Sequence, residues 1–353
     1  MDRRSFLKTS GAAAASAGVA APAGEALATP ALGSGIRELA VAVAWPDAVA
    51  GPHDDARRLL HRLATATEGR YAFRVVSVDP TGALPLDIVA RGEADLYFAS
   101  DSEHVAVDPA FAWFAGLPGA LGLAPDDHEA WLLAAGGQML WDDLAAEHGV
   151  KPLLAGHLGH PAGLWSETPI TAPGDLAGRL IAADGLNLDV ARGLGAETAV
   201  VRPGRIATTL VSAAQGLGLA TDLALGLPRP GWRCYTTGLA PSGATLTLGI
   251  ALQTWDAMPA SDRAVVAAFA TIAWRESVAA VRLHCPLALA ALRNIHGIKP
   301  EPLPVDITRH IDRVSEAVVA HAASTSGRAG AISSSLSAYF DLVGRNHFAR
   351  PIG

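Results

Sequence analysis

Lysine is nearly missing from this 353-residue chain; Lys8, Lys151 and Lys299 are its only instances. An anion held by this protein would therefore meet arginine, whose planar fork suits carboxylates. The net charge is −7 and no stretch gathers basic residues, which makes nucleic acid a poor partner. Cysteine occurs only as Cys234 and Cys285, without the spacing of a metal or redox motif. In an oxidising compartment the two form either one disulfide or two buried thiols. Aromatic residues make up 6% of the chain, yet eight of them are tryptophan. That bias fits a ligand cleft, and it fits core or interface packing equally.

Enzyme signatures are missing too. There is no Gly-x-Ser-x-Gly elbow, no His-Glu-x-x-His, no phosphate-binding Walker loop, and no Gly-x-Gly-x-x-Gly between a strand and a helix. What is present is apolar: 50% hydrophobic against 17% charged residues. That composition supplies the core of two ordinary domains or one large one.

The first 28 residues read as a targeting segment. Arg3-Arg4-Ser5-Phe6-Leu7-Lys8 precedes a weakly apolar Ala/Gly run, and Ala26-Leu27-Ala28 fits a small-residue cleavage site. Paired arginines in that setting are the mark of twin-arginine export. Removing residues 1–28 takes away three positive and two negative charges and moves the net charge from −7 to −8. No other stretch reads as a membrane span, so the mature protein is expected to be soluble and periplasmic. Twin-arginine export carries folded proteins, so folding should precede export.

The rest alternates strand and helix. Glu38–Trp45, Tyr71–Val78 and Ala94–Ala99 read as buried strands, and Asp54–Glu68 and Pro85–Arg91 as the helices between them. This is the pattern of a parallel sheet. Asp126–His148 reads as one long helix. A second alternation follows Gly156, with strands at Leu180–Ala183, Glu197–Val201 and Leu217–Leu223 and helices at Leu188–Leu194 and Arg205–Ala214. Thr245–Leu252 reads as a strand returning to the first domain. Ala260–Asn294 is one long helix or two broken near Pro286, with Val305–Ala323 and Ser333–Val343 after it.

The candidate site residues come from this layout. Strand carboxyl ends in open α/β sheets are where ligands sit, which singles out Ser100. Asp101 and Glu103 beside it could form an acid/base pair or be ordinary loop acids. His157 and His160 could share a metal only if a turn brought them together and a carboxylate such as Glu167 or Asp222 joined them; lining a cleft is the simpler role for His157. Arg202 and Arg205 flank Pro203-Gly204 between a strand and a helix, the best anion site of the second half. Trp45, Trp113, Trp165 and Leu223 are available to line an apolar cleft.

Several segments together resemble the periplasmic solute-binding subunits of tripartite ATP-independent periplasmic (TRAP) transporters. They are Ala94–Ser102, Asp108–Trp113, Leu117–Leu123, Ile170–Gly178, Gly204-Arg205-Ile206 and Thr254–Pro259, behind a twin-arginine start. They resemble most the branch that binds 2-oxo acids. The resemblance implies two α/β lobes with a cleft between them, a long spanning helix and a helical C-terminus. Residues 36–155 plus 245–353 would form the first lobe and 156–244 the second. It implies closure on a small ligand, delivery to membrane permease subunits and no catalysis; a monomer or homodimer without cofactor is expected, and no metal site is assigned because the metal ligands of that branch are largely absent here. It also exposes departures. The family's carboxylate-clamping arginine matches Ala182, and a cleft glutamine matches Pro161. A Glu-Trp pair matches Asp222-Leu223, and a Trp-Trp-Glu run matches Leu239-Ala240-Pro241. Two ligand classes stay open: an acid met by Arg202 or Arg205, or a more neutral molecule in an apolar cleft. A periplasmic accessory or scaffold protein that kept the fold and lost the ligand is the alternative.

Overall fold

The computed structural model describes residues 35–47, 51–79, 82–160, 162–200, 202, 205, 210–240 and 242–344. The expectations placed on the export signal, Pro161, Val201, Pro203-Gly204, Ile206 and Pro241 lie outside these. Strand β1 (Arg37–Val43) leads into α1 (Pro52–Ala66), β2 (Tyr71–Ser77), α2 (Pro85–Ala90) and β3 (Leu96–Ala99). Pro52 opens α1, Asp54 and Asp55 complement its amino end, and Leu59, Leu60 and Leu63 are buried beneath it. β2 and β3 both run parallel to β1.

The chain then forms the short α3 (Ala112–Ala115), α4 (Pro125–Ala134), α5 (Gly137–Ala146) and β4 (Val150–His157). The single helix expected over 126–148 is thus two. Gly136 adopts a left-handed conformation at the break, and a side chain on Gly137 would run into Trp131. The break folds α5 back so that Phe114 stacks on both Trp131 and Trp141, with ring centroids 5.3 and 5.2 Å apart. Such pairs add about 0.5–1.5 kcal/mol each beyond their burial.

The second sheet contains β5 (Leu164–Ser166), β6 (Leu180–Ala183), α6 (Asn187–Gly193), β7 (Glu197–Val200), β8 (Ala213–Ala214), α7 (Leu219–Ala224) and β9 (Arg233–Tyr235). Two expectations are corrected here. Of the helix expected over Arg205–Ala214, residues 206–209 lie outside those described and the end, Ala213–Ala214, is strand β8; Leu217–Leu223, expected as a strand, is mostly the helix α7. The glycine spacing explains the second error: side chains on Gly216 and Gly218 would overlap the carbonyl oxygens of Ala162 and Leu158. The segment runs too close to its neighbour for a regular strand with side chains.

β10 (Thr245–Ala251) returns and inserts antiparallel between β3 and β4. The first sheet is therefore mixed, ordered β2-β1-β3-β10-β4, and the second is ordered β7-β6-β8-β5-β9. Both belong to one compact unit that begins at Ile36. The chain ends in α8 (Leu252–Asp256), α9 (Ala260–Asn294), α10 (Val305–Ser324) and α11 (Gly327–Val343). α11 starts six residues before the expected Ser333, with Ser326 Oγ capping it by accepting from the Ala329 amide. α9 continues through Pro286 without dividing. By length and composition it is apolar enough to cross a membrane, which corrects the reading that no stretch beyond the signal could. Its buried face, Val266, Ala270, Trp274 and Ser277, packs into the cores around the first sheet. The result is two α/β lobes with a cleft between them, a long spanning helix and a helical C-terminus.

Candidate functional site

β1, β3 and β4 point the same way, so Trp45, Ser100 and His157 all leave one edge of the first sheet. β6 and β8 are parallel, so Asp184 and Gln215 leave one edge of the second. The carboxyl ends of both sets face the cleft, the position where open α/β sheets bind ligands.

Ser100 caps the 3-10 turn Asp101–His104, accepting from the Ser102 amide at 3.3 Å. This aims Ser102 across the cleft. Its Oγ lies 3.0 Å from Ser100 Oγ and donates to Asp184 Oδ2 at 2.8 Å. The other oxygen of Asp184 accepts from Gln215 Nε2 at 2.7 Å, and Gln215 Oε1 accepts from the Asp184 amide at 3.1 Å. Burial raises the Asp184 carboxyl above its usual range, opposed by the bonds from Ser102 and Gln215. Ser102, Asp184 and Gln215 were not singled out in the sequence. Asp184 could have been, because it follows a short apolar strand as Ser100 does. Gln215 directly follows the segment expected as a helix, so no strand end marked it.

Beside this bridge lies a cavity of about 370 Å³, lined by Ser102, Glu103, Asp184, Arg192 and Arg202 among others. Burial pushes Glu103 up to about 7, against the lowering pull of His104 and Arg202, and Asp184 adds to the rise. A second cavity of about 300 Å³ lies between α1, α7 and α9 and brings His157 and His160 to one wall. His157 Nδ1 accepts from the Gly159 amide at 2.9 Å, and burial lowers its pKa to about 4.

The remaining candidates take structural places. Asp101 is fully buried and accepts from Trp141 Nε1 at 2.9 Å, with His104 Nδ1 3.1 Å away. Trp113 is buried in the core of the first lobe rather than on a cleft wall. Trp45 and Trp165 sit in the core that joins Leu158, Ala162, Ala182 and Leu217, with Leu223 at its margin. Trp165 Nε1 donates to Asp222 Oδ2 at 2.9 Å, and the Leu217 amide donates to Asp222 Oδ1 at 2.9 Å. Burial raises Asp222 to about 7, while these donors and the amides of Gly218 and Ala162 hold it down. Arg202 Nη1 donates to the carbonyls of Gly82 at 3.0 Å and Ala83 at 3.3 Å. Arg205 is exposed. The residues between the two arginines lie outside those described; the Arg205 amide donates to the Arg202 carbonyl at 2.9 Å. Cys234 and Cys285 are both free thiols.

The backbone as a whole matches solved structures. It superposes on a TRAP transporter solute-binding protein from Bordetella bronchiseptica with a TM-score of 0.82, at 21% identity, over 90% of this chain and 95% of that one. The fold is that of the TRAP solute-binding proteins. A second TRAP periplasmic solute-binding protein, from Pseudoalteromonas atlantica, matches with a TM-score of 0.81 at 20% identity, over 88% and 95% of the two chains. The first was solved with calcium and picolinate, the second with sodium and pyruvate. Residues 1–20 match the twin-arginine translocation pathway signal sequence. A monocarboxylate 2-oxoacid-binding periplasmic protein of Nostoc is 27% identical over 222 residues, 61% of this chain. The match spans 60% of that relative's length.

Among the described residues no three His, Cys, Asp or Glu side chains gather to hold an ion. Asp222 has both oxygens taken by N–H donors.

Proposed function

We propose that this chain is a periplasmic solute-binding protein that captures a small organic molecule by lobe closure and delivers it to the membrane subunits of a TRAP-type permease. The observation that carries this is the Ser102–Asp184–Gln215 bridge beside a cavity of about 370 Å³. Polar side chains from the carboxyl ends of both sheets meet there, and the volume suits a small ligand. The similar proteins are solute-binding proteins, and one of them is a 2-oxoacid-binding protein. No step of this function needs a reaction, so the chain acts without turnover. A carboxylate clamp of the kind the resemblance implies has no arginine at Ala182, which packs in the core with Ala162, Trp165 and Ala214.

The test is a thermal-shift screen of the mature protein across organic acids, amino acids, amides and amines, followed by small-angle scattering with each hit. A binder should raise Tm and shrink the radius of gyration as the lobes close. No stabilising compound in any class would overturn the reading. The apolar packing around Ala182 favours a second reading, a scaffold that kept the fold without a ligand. That reading predicts a closed particle whose dimensions no solute changes.

A further inference from the structure

The chemistry of the 370 Å³ cavity narrows the solute, resting on the solute-binding reading above. Among the described residues that line it, Glu103 alone has a buried side-chain oxygen, Oε1, with no hydrogen-bond partner. Its side chain is only 7% exposed. The other charges on the wall are already engaged. Asp184 is held by Ser102 and Gln215. Arg192 Nη1 binds Asp189 Oδ1 at 2.7 Å. Arg202 holds the Gly82 and Ala83 carbonyls, and its Nε is 3.9 Å from Glu103 Oε2, beyond hydrogen-bond length.

We infer that this cavity takes a small organic cation, with an ammonium or amidinium group seated on Glu103. A carboxylate entering the same space would become a further anion beside Glu103 and Asp184. It would find Arg192 paired with Asp189 and Arg202 held by two carbonyls beside Glu103. An N–H donor carrying positive charge, placed against the Glu103 carboxyl, neutralises a buried carboxylate that Arg202 approaches only to 3.9 Å, the arrangement a buried charge requires. The apolar walls from Leu84, Val105 and Leu188 suit the hydrocarbon part of such a molecule.

The inference also fixes a proton linkage. The groups facing Glu103 are His104 on its own turn, Arg202 after β7, Asp184 after β6, and the Asp189–Arg192 pair on α6. With Glu103 near 7, part of the population is protonated at neutral pH, and a cation must displace that proton. Affinity should therefore rise with pH and level off above 8. The amine keeps its own charge throughout this window.

The experiment is isothermal titration calorimetry of the mature protein at pH 6, 7 and 8, with 1,4-diaminobutane, agmatine, pyruvate and malonate as probes. An amine probe should bind, with Kd falling about tenfold from pH 6 to pH 8 as expected for a group near 7. Protons should appear in the buffer on binding. Glu103→Gln should weaken the amine at least tenfold at pH 8 and abolish the pH dependence. The wild-type pH series stands without the variant. Binding of pyruvate or malonate with no amine binding would overturn the cation inference and leave the solute-binding reading intact. Amine binding that is indifferent to pH and to Glu103→Gln would also overturn it. Silence of all four probes counts against the inference. If the wider screen is silent as well, the solute-binding reading falls with it.

Discussion

Ser102 Oγ on the first lobe donates to Asp184 Oδ2 on the second, at 2.8 Å, and this bond crosses the cleft beside the candidate ligand cavity. If the lobes close on a ligand as proposed, a bond made between them in the closed state adds to the ligand's apparent affinity. Removing it should weaken binding of any closing ligand without altering the ligand's chemistry. Ser102→Ala is expected to raise Kd by roughly two- to tenfold, from a net hydrogen bond of about 0.5–1.5 kcal/mol. Titration calorimetry on a hit from the screen checks this; an unchanged Kd would remove the bond from the closing mechanism.

Asp222 should resist conservative replacement. Its two oxygens accept only from N–H donors, Trp165 Nε1 and the Leu217 amide among them. An asparagine there would turn its own NH₂ toward one of those donors. Asp222→Asn is expected to cost about 1–3 kcal/mol in urea unfolding at pH 7, the cost of a buried polar group left unpaired. A neutral or stabilising result would show that the protonated acid is the form the core accommodates.

His128 gives an acid-side prediction. Burial lowers its pKa to about 3, with a further push from His157. The unfolded chain takes up a proton near pH 6.5 and the folded one does not until pH 3. Stability is therefore lost as pH falls below 6.5, with the loss ending near 3. At pH 4 the loss from this group is on the order of 3 kcal/mol. His128→Phe, a replacement of similar shape between Trp131 and Trp274, should flatten the fall of Tm between pH 6.5 and 4. Parallel Tm curves for the two proteins would contradict the assignment.

Gly216 and Gly218 should tolerate no side chain. An added methyl meets a backbone carbonyl in each case, of Ala162 and Leu158, and backbone cannot swing aside. Gly216→Ala is expected to lose about 1–3 kcal/mol or more in chemical denaturation. The loss should be matched by Gly218→Ala, while Gly174→Ala, with open space around the position, stays near wild type.

The first lobe was legible in the sequence because its signals are local. Apolar strands end at Pro46 and Ser100, Asp54 and Asp55 mark a helix start, and Pro85 marks another. The helix break at Gly136 was missed because the apolar residues on its two sides still fit one helical period. The second lobe was harder. β8 is two residues long, too short for any alternation, and the glycines that bring residues 215–218 against 158–162 mask the helix after them. The site suffered from the same cause. Ser100 was found by its place at a strand end. Ser102, Asp184 and Gln215 are joined by contacts across 31 and 82 residues, which no spacing rule reports. The tryptophans misled in the other direction, since Trp113 and Trp165 are fully interior and serve packing.

Cys234 lies on β9 against Trp165, and burial pushes its thiol up to about 12. A chain exported by the twin-arginine route leaves the cytoplasm already folded. Its cysteine is therefore enclosed before it meets an oxidising environment, and a thiol that holds its proton is a poor nucleophile for disulfide exchange. The redox state of Cys234 is inherited from the compartment where the protein folded, and the compartment where it works has little means to rewrite it.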